Sequence, residues 1–319
     1  MQKKELEQWV DTICQKTGFI KEKPLKWGTF YRDDNYRNAI YLGKYEGKDA
    51  VLKAYDDPRK PDEPIALQYF NDHNHNPHLL APQIYTFDRE TAERGFFIME
   101  KLPNDATQIS KNNKLQFLKI FQEYKKFFPK TPHRKLFPEE ELPSHQFHIA
   151  RISRWFEMAK KKHDTDFPME RFLPLYQKSL SLIEKEFEER PKYWCHGHFK
   201  NEEVFFSDSK NAYYLLDFAH VHMFPLGYEE AFIVWADCLM NGDYSTSYME
   251  WKKEIDTWKA LLVSSLQEEG IPHAEELFDA SMLERCLGTI LADIASSDKP
   301  EKQKYYLHLF CYLEELLQS

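Results

Sequence analysis

Cysteine is scarce in this chain and never set in pairs. The five residues Cys14, Cys195, Cys238, Cys286 and Cys311 are scattered, odd in number and without a CxxC spacing. That excludes a disulfide framework and a cysteine zinc cluster, and it fits the reduced thiols of a cytoplasmic protein. Long apolar runs are missing too: no stretch offers the ~18 apolar residues of a membrane span. The start, MQKKELEQWVDTICQK, is charged and amphipathic, with no signal-peptide core. Positive charge is also in deficit. A net charge of −9 argues against nucleic acid as the main partner, because phosphate contacts need a surplus of Lys and Arg along a surface. Two basic runs, KKFFPKTPHRK (Lys125 to Lys135) and AKKKH (Ala159 to His163), read as solvated helix ends or loops. A basic edge for an anionic ligand is the alternative. No internal repeat or low-complexity tract occurs.

What is present can build a substantial core. The chain has 319 residues, 42% apolar and 15% aromatic, and its 30% charge keeps the surface solvated. One large or two ordinary domains are expected. The character changes near residue 103. Before it, NAIYLGKYEGKDAVLKAYDD reads as a hairpin turning at Glu46-Gly47. DEPIALQYFNDH, with an acidic cap and an early Pro, reads as a short helix. LLAPQIYTFD and RGFFIMEKLP read as two further strands. After residue 110, apolar residues recur at three- and four-residue steps, as in Leu115, Leu118, Phe121, Tyr124 and Phe128, and helices are expected. LFPEEELPS (Leu136 to Ser144) reads as a surface connector. Breaks are expected at Gly242 and Gly270. One hairpin interrupts the helical part, EVFF and AYYLLDF around an SDSKN turn.

That hairpin carries the chemistry. The stretch WCHGHFKNEEVFF…YYLLDFAH resembles the catalytic segment of the aminoglycoside phosphotransferase and choline kinase-like families, whose pattern is His-Gly-Asp-Leu-x-x-x-Asn-Val-Leu followed by Ile-Asp-Phe-Gly. His196 and Gly197 match the opening, Phe199 the apolar position, Val204-Phe205-Phe206 the strand, and Asp217-Phe218 the metal-binding Asp and its neighbour. LGYEEA, with Tyr228, Glu229 and Ala231, is similar to the family's later Pro-x-Tyr-Asp-Leu-Ala. Upstream, AVLK resembles the strand whose Lys, here Lys53, holds the α- and β-phosphates of ATP. Glu63 resembles the Glu that pairs with it. FFIMEKLP resembles the strand and hinge at the adenine ring, which puts Met99, Glu100, Lys101 and Leu102 along the ring edge.

The resemblance covers residues from about 27 to 232 and implies an α+β, two-lobed protein kinase-like fold. Residues 1–103 would form a small β-rich N-lobe with one helix. Residues 104–319 would form a large, mostly helical C-lobe with the catalytic-loop hairpin at 193–220. It also implies ATP and Mg²⁺ between Lys53 and Asp217, and a small-molecule acceptor phosphorylated on a hydroxyl. Phosphoryl transfer is mostly positioning and charge neutralisation. Lys53 would neutralise phosphate charge, Glu63 would hold Lys53, and Asp217 with Glu203 would give Mg²⁺ its hard oxygen ligands.

Three positions depart from the family pattern. His198 stands at the place of the catalytic Asp, and Glu203 at that of the metal-binding Asn. The loop KWGTFYRDDNYRNAIYL has only Gly28 where kinases use several glycines, leaving Arg32, Arg37 and Asn38 as side-chain phosphate contacts, opposed by Asp33 and Asp34. A neutral imidazole with a pKa of about 6.5 can serve as general base. Losing a base costs only ~10²–10⁴-fold in rate, so the altered loop is compatible with two readings. One is a phosphotransferase using His198. The other is a pseudokinase that binds nucleotide or a partner without catalysis. A third reading takes His196, His198, His220 and His222, which flank Asp217, as ligands of Zn²⁺ or another transition metal. In the resembling families the position of His196 is structural. His73, His75 and His78 read as a polar loop. The acidic balance favours a cationic acceptor such as an amine. Acceptor identity and oligomeric state have no sequence signature.

Overall fold

Glu46 and Gly47 both adopt positive φ, 49° and 78°, the pair of left-handed residues that a two-residue hairpin turn demands. They join β2 (Tyr36–Tyr45) to β3 (Lys48–Asp56). A computed structural model of the chain describes residues 1–29, 35–58, 60–128, 141–188, 190–297 and 305–318. The described chain divides into two compact units. One comprises 1–109 with 202–221, and the other 110–201 with 222–319.

The first unit is built on an antiparallel sheet. With β1 (Ile20–Thr29), β5 (Ile84–Arg89) and β6 (Arg94–Glu100), its strand order is β1-β2-β3-β6-β5, while β4 (Leu79–Leu80) lies in a second sheet. The central β3 is buried from Ala50 to Tyr55, and Phe96, Phe97 and Ile98 of β6 are 0–2% exposed. This unit holds two helices where one is expected from sequence. α1 (Lys3–Thr17) presents Leu6, Trp9, Val10 and Ile13 to the sheet face formed by Ala39, Tyr41, Leu52, Ala54 and Phe96. Steps of three and four put those four side chains on one stripe, and each contributes roughly 1.5–3 kcal/mol by burial. The charged residues between them disguise that stripe in a linear reading. The second helix, α2 (Glu63–His73), starts as expected after Asp62, with Pro64 in its first turn.

The hairpin at residues 202–221 belongs to this first unit rather than to the helical one. β9 (Val204–Ser207) pairs with β10 (Ala212–Leu215), which also pairs with β4, and β7 (Thr107–Gln108) lies on the other side of β9. Asp105 fixes the turn of the hairpin, accepting from Ser209 N–H at 2.6 Å and from Ser207 Oγ at 3.0 Å.

The second unit contains α3 (Lys114–Lys125), α4 (Ser144–His163), α5 (Met169–Phe187), α6 (Tyr228–Val234), α7 (Tyr248–Glu268), α8 (Ala274–Ser296) and α9 (Tyr306–Gln318). A short ribbon of β8 (Lys192–Cys195) and β11 (His222–Pro225) accompanies them. AKKKH closes α4 with Lys160, Lys161, Lys162 and His163 in its last turn, where positive charge complements the helix dipole. The break at Gly242 has a steric cause: a Cβ there would lie 2.1 Å from the Cys238 carbonyl oxygen. At Gly270 the cause is a φ of 78°. Among the described residues no helix is long and apolar enough to cross a membrane. Residues 129–140, most of KKFFPKTPHRK and of LFPEEELPS, lie outside the described residues, as do Arg32, Asp33 and Asp34.

Candidate active site

β3 alternates its side chains across the sheet and delivers Lys53 to a buried position, 7% exposed. Its ammonium donates to both oxygens of Glu63, at 2.5 and 2.7 Å, and lies 3.5 Å from Asp217 Oδ1. Glu63, 4% exposed, is the first residue of α2. A carboxylate at that helix end also gains from the positive end of the dipole. Burial alone would pull the Lys53 ammonium down. Glu63, Asp217 and Glu203 outweigh it and raise its pKa above the ordinary lysine value, so Lys53 is a permanent cation.

Asp217 follows β10 with a left-handed backbone, φ 55° and ψ 60°. At that strained turn the carboxylate meets two buried lysines of this unit. Lys60 is the second of them, 3.0 Å from Asp217 Oδ1 and 4.0 Å from Glu63 Oε2. Sequence reasoning does not single Lys60 out. Its only signal is its place three residues before Glu63, between Pro58 and Pro61. Glu203 ends a short 3-10 turn, and its carbonyl accepts from Leu216 N–H at 2.9 Å. Thus the backbone at Glu203 is tied directly to the strand end that carries Asp217. The Asp217 side chain is 21% exposed and offers the hard oxygens that suit Mg²⁺, while the charge of Glu203 is felt at Lys53 in the same cluster.

The four residues expected at the adenine ring lie in the same unit. Met99 and Glu100 end β6, and Lys101 and Leu102 follow it, all half-buried. Glu100 N–H donates to Gln83 O at 2.8 Å. Gly28, the single glycine of the preceding loop, has a packing reason of its own. A Cβ there would meet the Asn38 side chain at 2.3 Å, across the β1–β2 pair.

His198 lies in the second unit, on the loop that leaves β8. Gly197 takes φ 77° before it, a conformation that favours glycine. The His198 ring is half-buried and stacks on Phe232 of α6, centroids 5.2 Å apart. Glu229, also on α6 and 0% exposed, grips the loop on both sides of His198. Its carboxylate accepts from Gly197 N–H at 2.7 Å and from Phe199 N–H at 3.0 Å. Burial pushes the Glu229 carboxyl up to about 7. The two N–H groups and Arg285 oppose that rise, and Glu230 adds to it. The LGYEEA likeness marks the position of Glu229 but not its role. His196 is 1% exposed and packs edge-to-face on Tyr124 and Phe199, which fits a structural part.

A cavity of about 320 Å³ opens in the second unit, lined by Asp237, Asp243, Glu250 and Glu254 together with Lys111, Lys114 and Trp251. Asp237 sits on a π-helical turn, Trp235–Met240, a local widening often found at functional sites. A smaller neighbouring hollow shares Lys111 and Asp237 and reaches Lys200 and Asn201 of the His198 loop.

No protein-family model and no curated protein matches the sequence. Solved structures do match the fold along nearly its whole length. Choline kinase LicA from Streptococcus pneumoniae aligns with a TM-score of 0.62 at 16% identity, covering 98% of this chain and 99% of that one. Aminoglycoside phosphotransferase APH(4)-Ia, in ternary complex with ADP and hygromycin B, aligns at 0.61 and 11% identity, with 97% of each chain covered. An ethanolamine kinase from Plasmodium vivax aligns at 0.57 and 16% identity, over 93% of this chain and 82% of that one. The chain therefore has the α+β, protein kinase-like fold of the aminoglycoside phosphotransferases and choline kinases.

Proposed function

We propose that the protein is an ATP-dependent phosphotransferase acting on a hydroxyl of a small molecule. The observation that carries this reading is the buried Lys53–Glu63 pair with Asp217 beside it, at 2.5 and 3.5 Å. A lysine so deeply ion-paired is costly to bury, and a cluster of this kind is suited to receiving phosphate charge. Met99, Glu100, Lys101 and Leu102 would bound the adenine ring. Asp217 and Glu203 would hold Mg²⁺, which when bound neutralises phosphate charge and orients the transferred group. His198 would accept the acceptor's hydroxyl proton, its ring oriented by Phe232 and its loop by Glu229. The acceptor would bind in the 320 Å³ cavity of the second unit. Four carboxylates against two lysines, with an indole wall, favour a cationic amino alcohol. The structural neighbours named for choline and ethanolamine support that class.

Calorimetric titration of Mg²⁺-ATP into the wild type and into Asp217→Ala tests the site. Binding that Asp217→Ala weakens at least about tenfold is expected, from the loss of a charged ligand. Equal binding by both proteins would overturn the assignment.

The second reading is a pseudokinase, and its motivating observation is that imidazole replaces carboxylate at position 198. Activity separates the two. With a panel of amino alcohols, His198→Ala should lower kcat by ~10²–10⁴-fold if His198 is the base. A wild type that binds ATP without turnover, while His198→Asp phosphorylates an acceptor, would establish the pseudokinase instead.

A further inference from the structure

Lys60 has no part in the phosphate clamp described above, yet it is as buried as Lys53, at 8% exposed. Its closest acid is not a local one. Asp217, 157 residues further along the chain, lies 3.0 Å from its ammonium, whereas Glu63 is 4.0 Å away. Lys53 spends two of its three donors on Glu63, and Lys60 is the nearer of the two lysines to Asp217 Oδ1, at 3.0 against 3.5 Å. The backbone fixes it there. Lys60 N–H donates to Asp57 O, and Glu63 N–H donates to Lys60 O, both at 3.0 Å. Asp57 is itself buried and anchored through its N–H to Glu93 O at 2.8 Å.

We propose that Lys60 is a built-in counter-cation of Asp217. Its ammonium occupies Oδ1, which leaves Mg²⁺ the other oxygen of Asp217 and Glu203 as ligands, so the metal adds little to the hold on nucleotide phosphates. This rests on the reading of the Lys53–Asp217 cluster as the nucleotide site. Mg²⁺ binds carboxylate oxygens at about 2.0–2.1 Å and demands near-octahedral space. An ammonium 3.0 Å from that oxygen, with a second at 3.5 Å, leaves a divalent ion on Oδ1 two like charges to meet. Lysine carries three donors on a flexible stem, so Lys60 can keep one on Asp217 and turn another toward a phosphate oxygen.

Two titrations decide it. First, Mn²⁺ alone is titrated into wild type, Lys60→Met, and Lys60→Met combined with Asp217→Ala, with free Mn²⁺ followed by electron paramagnetic resonance. Lys60→Met should bind Mn²⁺ at least about tenfold more tightly than wild type, because one adjacent like charge is gone, and the double variant should lose that site. Equal Mn²⁺ affinity in wild type and Lys60→Met would overturn the proposal.

Second, ATP is titrated in EDTA and in excess Mg²⁺. Wild type should differ by no more than about threefold between the two, a fraction of a decade in affinity. Lys60→Met should lose at least about tenfold in EDTA and recover in Mg²⁺. A wild type that needs Mg²⁺ as much as the variant would overturn the phosphate role. No ATP binding to any variant would instead remove the nucleotide reading, and the Mn²⁺ arm would still decide what Lys60 does. Lys60→Gln, checked for wild-type thermal unfolding, repeats both arms should the Met variant not fold.

Discussion

Lys53→Met should destabilise the protein by about 3–5 kcal/mol, the usual cost of removing one partner of a buried ion pair. Glu63 is 4% exposed and accepts two hydrogen bonds from Lys53. Without the ammonium, its carboxylate is left charged in a site that water barely reaches. Lys60 stays 4.0 Å away and softens the loss, so the lower part of that range is expected. The diagnostic is the double variant. Lys53→Met with Glu63→Leu replaces the pair by apolar groups of similar volume and should regain most of the lost stability. ATP binding should be lost in both. Urea unfolding followed by circular dichroism supplies the stabilities, and calorimetry the binding. A double variant no more stable than Lys53→Met would mean that the pair is held by the fold rather than holding it. A single variant that unfolds at the wild-type midpoint would sink the prediction outright.

How far this arrangement could be read in the sequence depends on the distance over which each signal acts. Lys53 and Glu63 lie ten residues apart on a strand and the helix after it, so local pattern and order suffice to pair them. The turn at Glu46-Gly47 and the start of α2 after Asp62 are likewise written in adjacent residues. α1 is legible in principle, through Leu6, Trp9, Val10 and Ile13, but the lysines and glutamates among them mask a stripe that only the sheet makes meaningful. Lys60 was not legible. Its meeting with Asp217 spans 157 residues and depends on where the β9–β10 hairpin docks, which no local propensity encodes. The same docking places residues 202–221 with the first unit, although in sequence they sit inside a helical stretch. Gly28 shows the opposite failure. Its isolation in the loop speaks against a close backbone approach to phosphate but gives no reason for the glycine itself, which is the Asn38 side chain lying where a Cβ would be.

Glu229 should make the stability of the protein and the order of the His198 loop respond to pH in opposite directions. Its carboxyl is pushed from 4.5 up to about 7 in the fold, chiefly by burial. Because the folded state then binds more protons than the unfolded one, the stability attached to this group is fully present below about 4.5 and is lost as pH rises through 7. At ~1.36 kcal/mol per pKa unit, the loss amounts to about 3 kcal/mol. The loop runs the other way. Only the ionised carboxylate has both oxygens free to accept from Gly197 and Phe199. Protonation turns one oxygen into a hydroxyl and weakens the hold on either side of His198. Glu229→Gln fixes the chain near the protonated case, with one acceptor oxygen and an NH₂ group facing an N–H donor. Leaving that buried N–H unmet costs about 1–3 kcal/mol at every pH. The difference in unfolding free energy between wild type and Glu229→Gln should therefore shift by about 2.5 kcal/mol in favour of the variant from pH 5 to pH 8. Over the same interval, amide exchange at Gly197 and Phe199 should slow in the wild type, after correction for intrinsic rates, and stay fast in the variant. A stability difference that is flat with pH would place the Glu229 pKa at its ordinary value and leave the clamp charged throughout. Parallel rather than opposed trends would mean that the loop opens only with global unfolding, and that Glu229 holds the whole second unit instead of one loop.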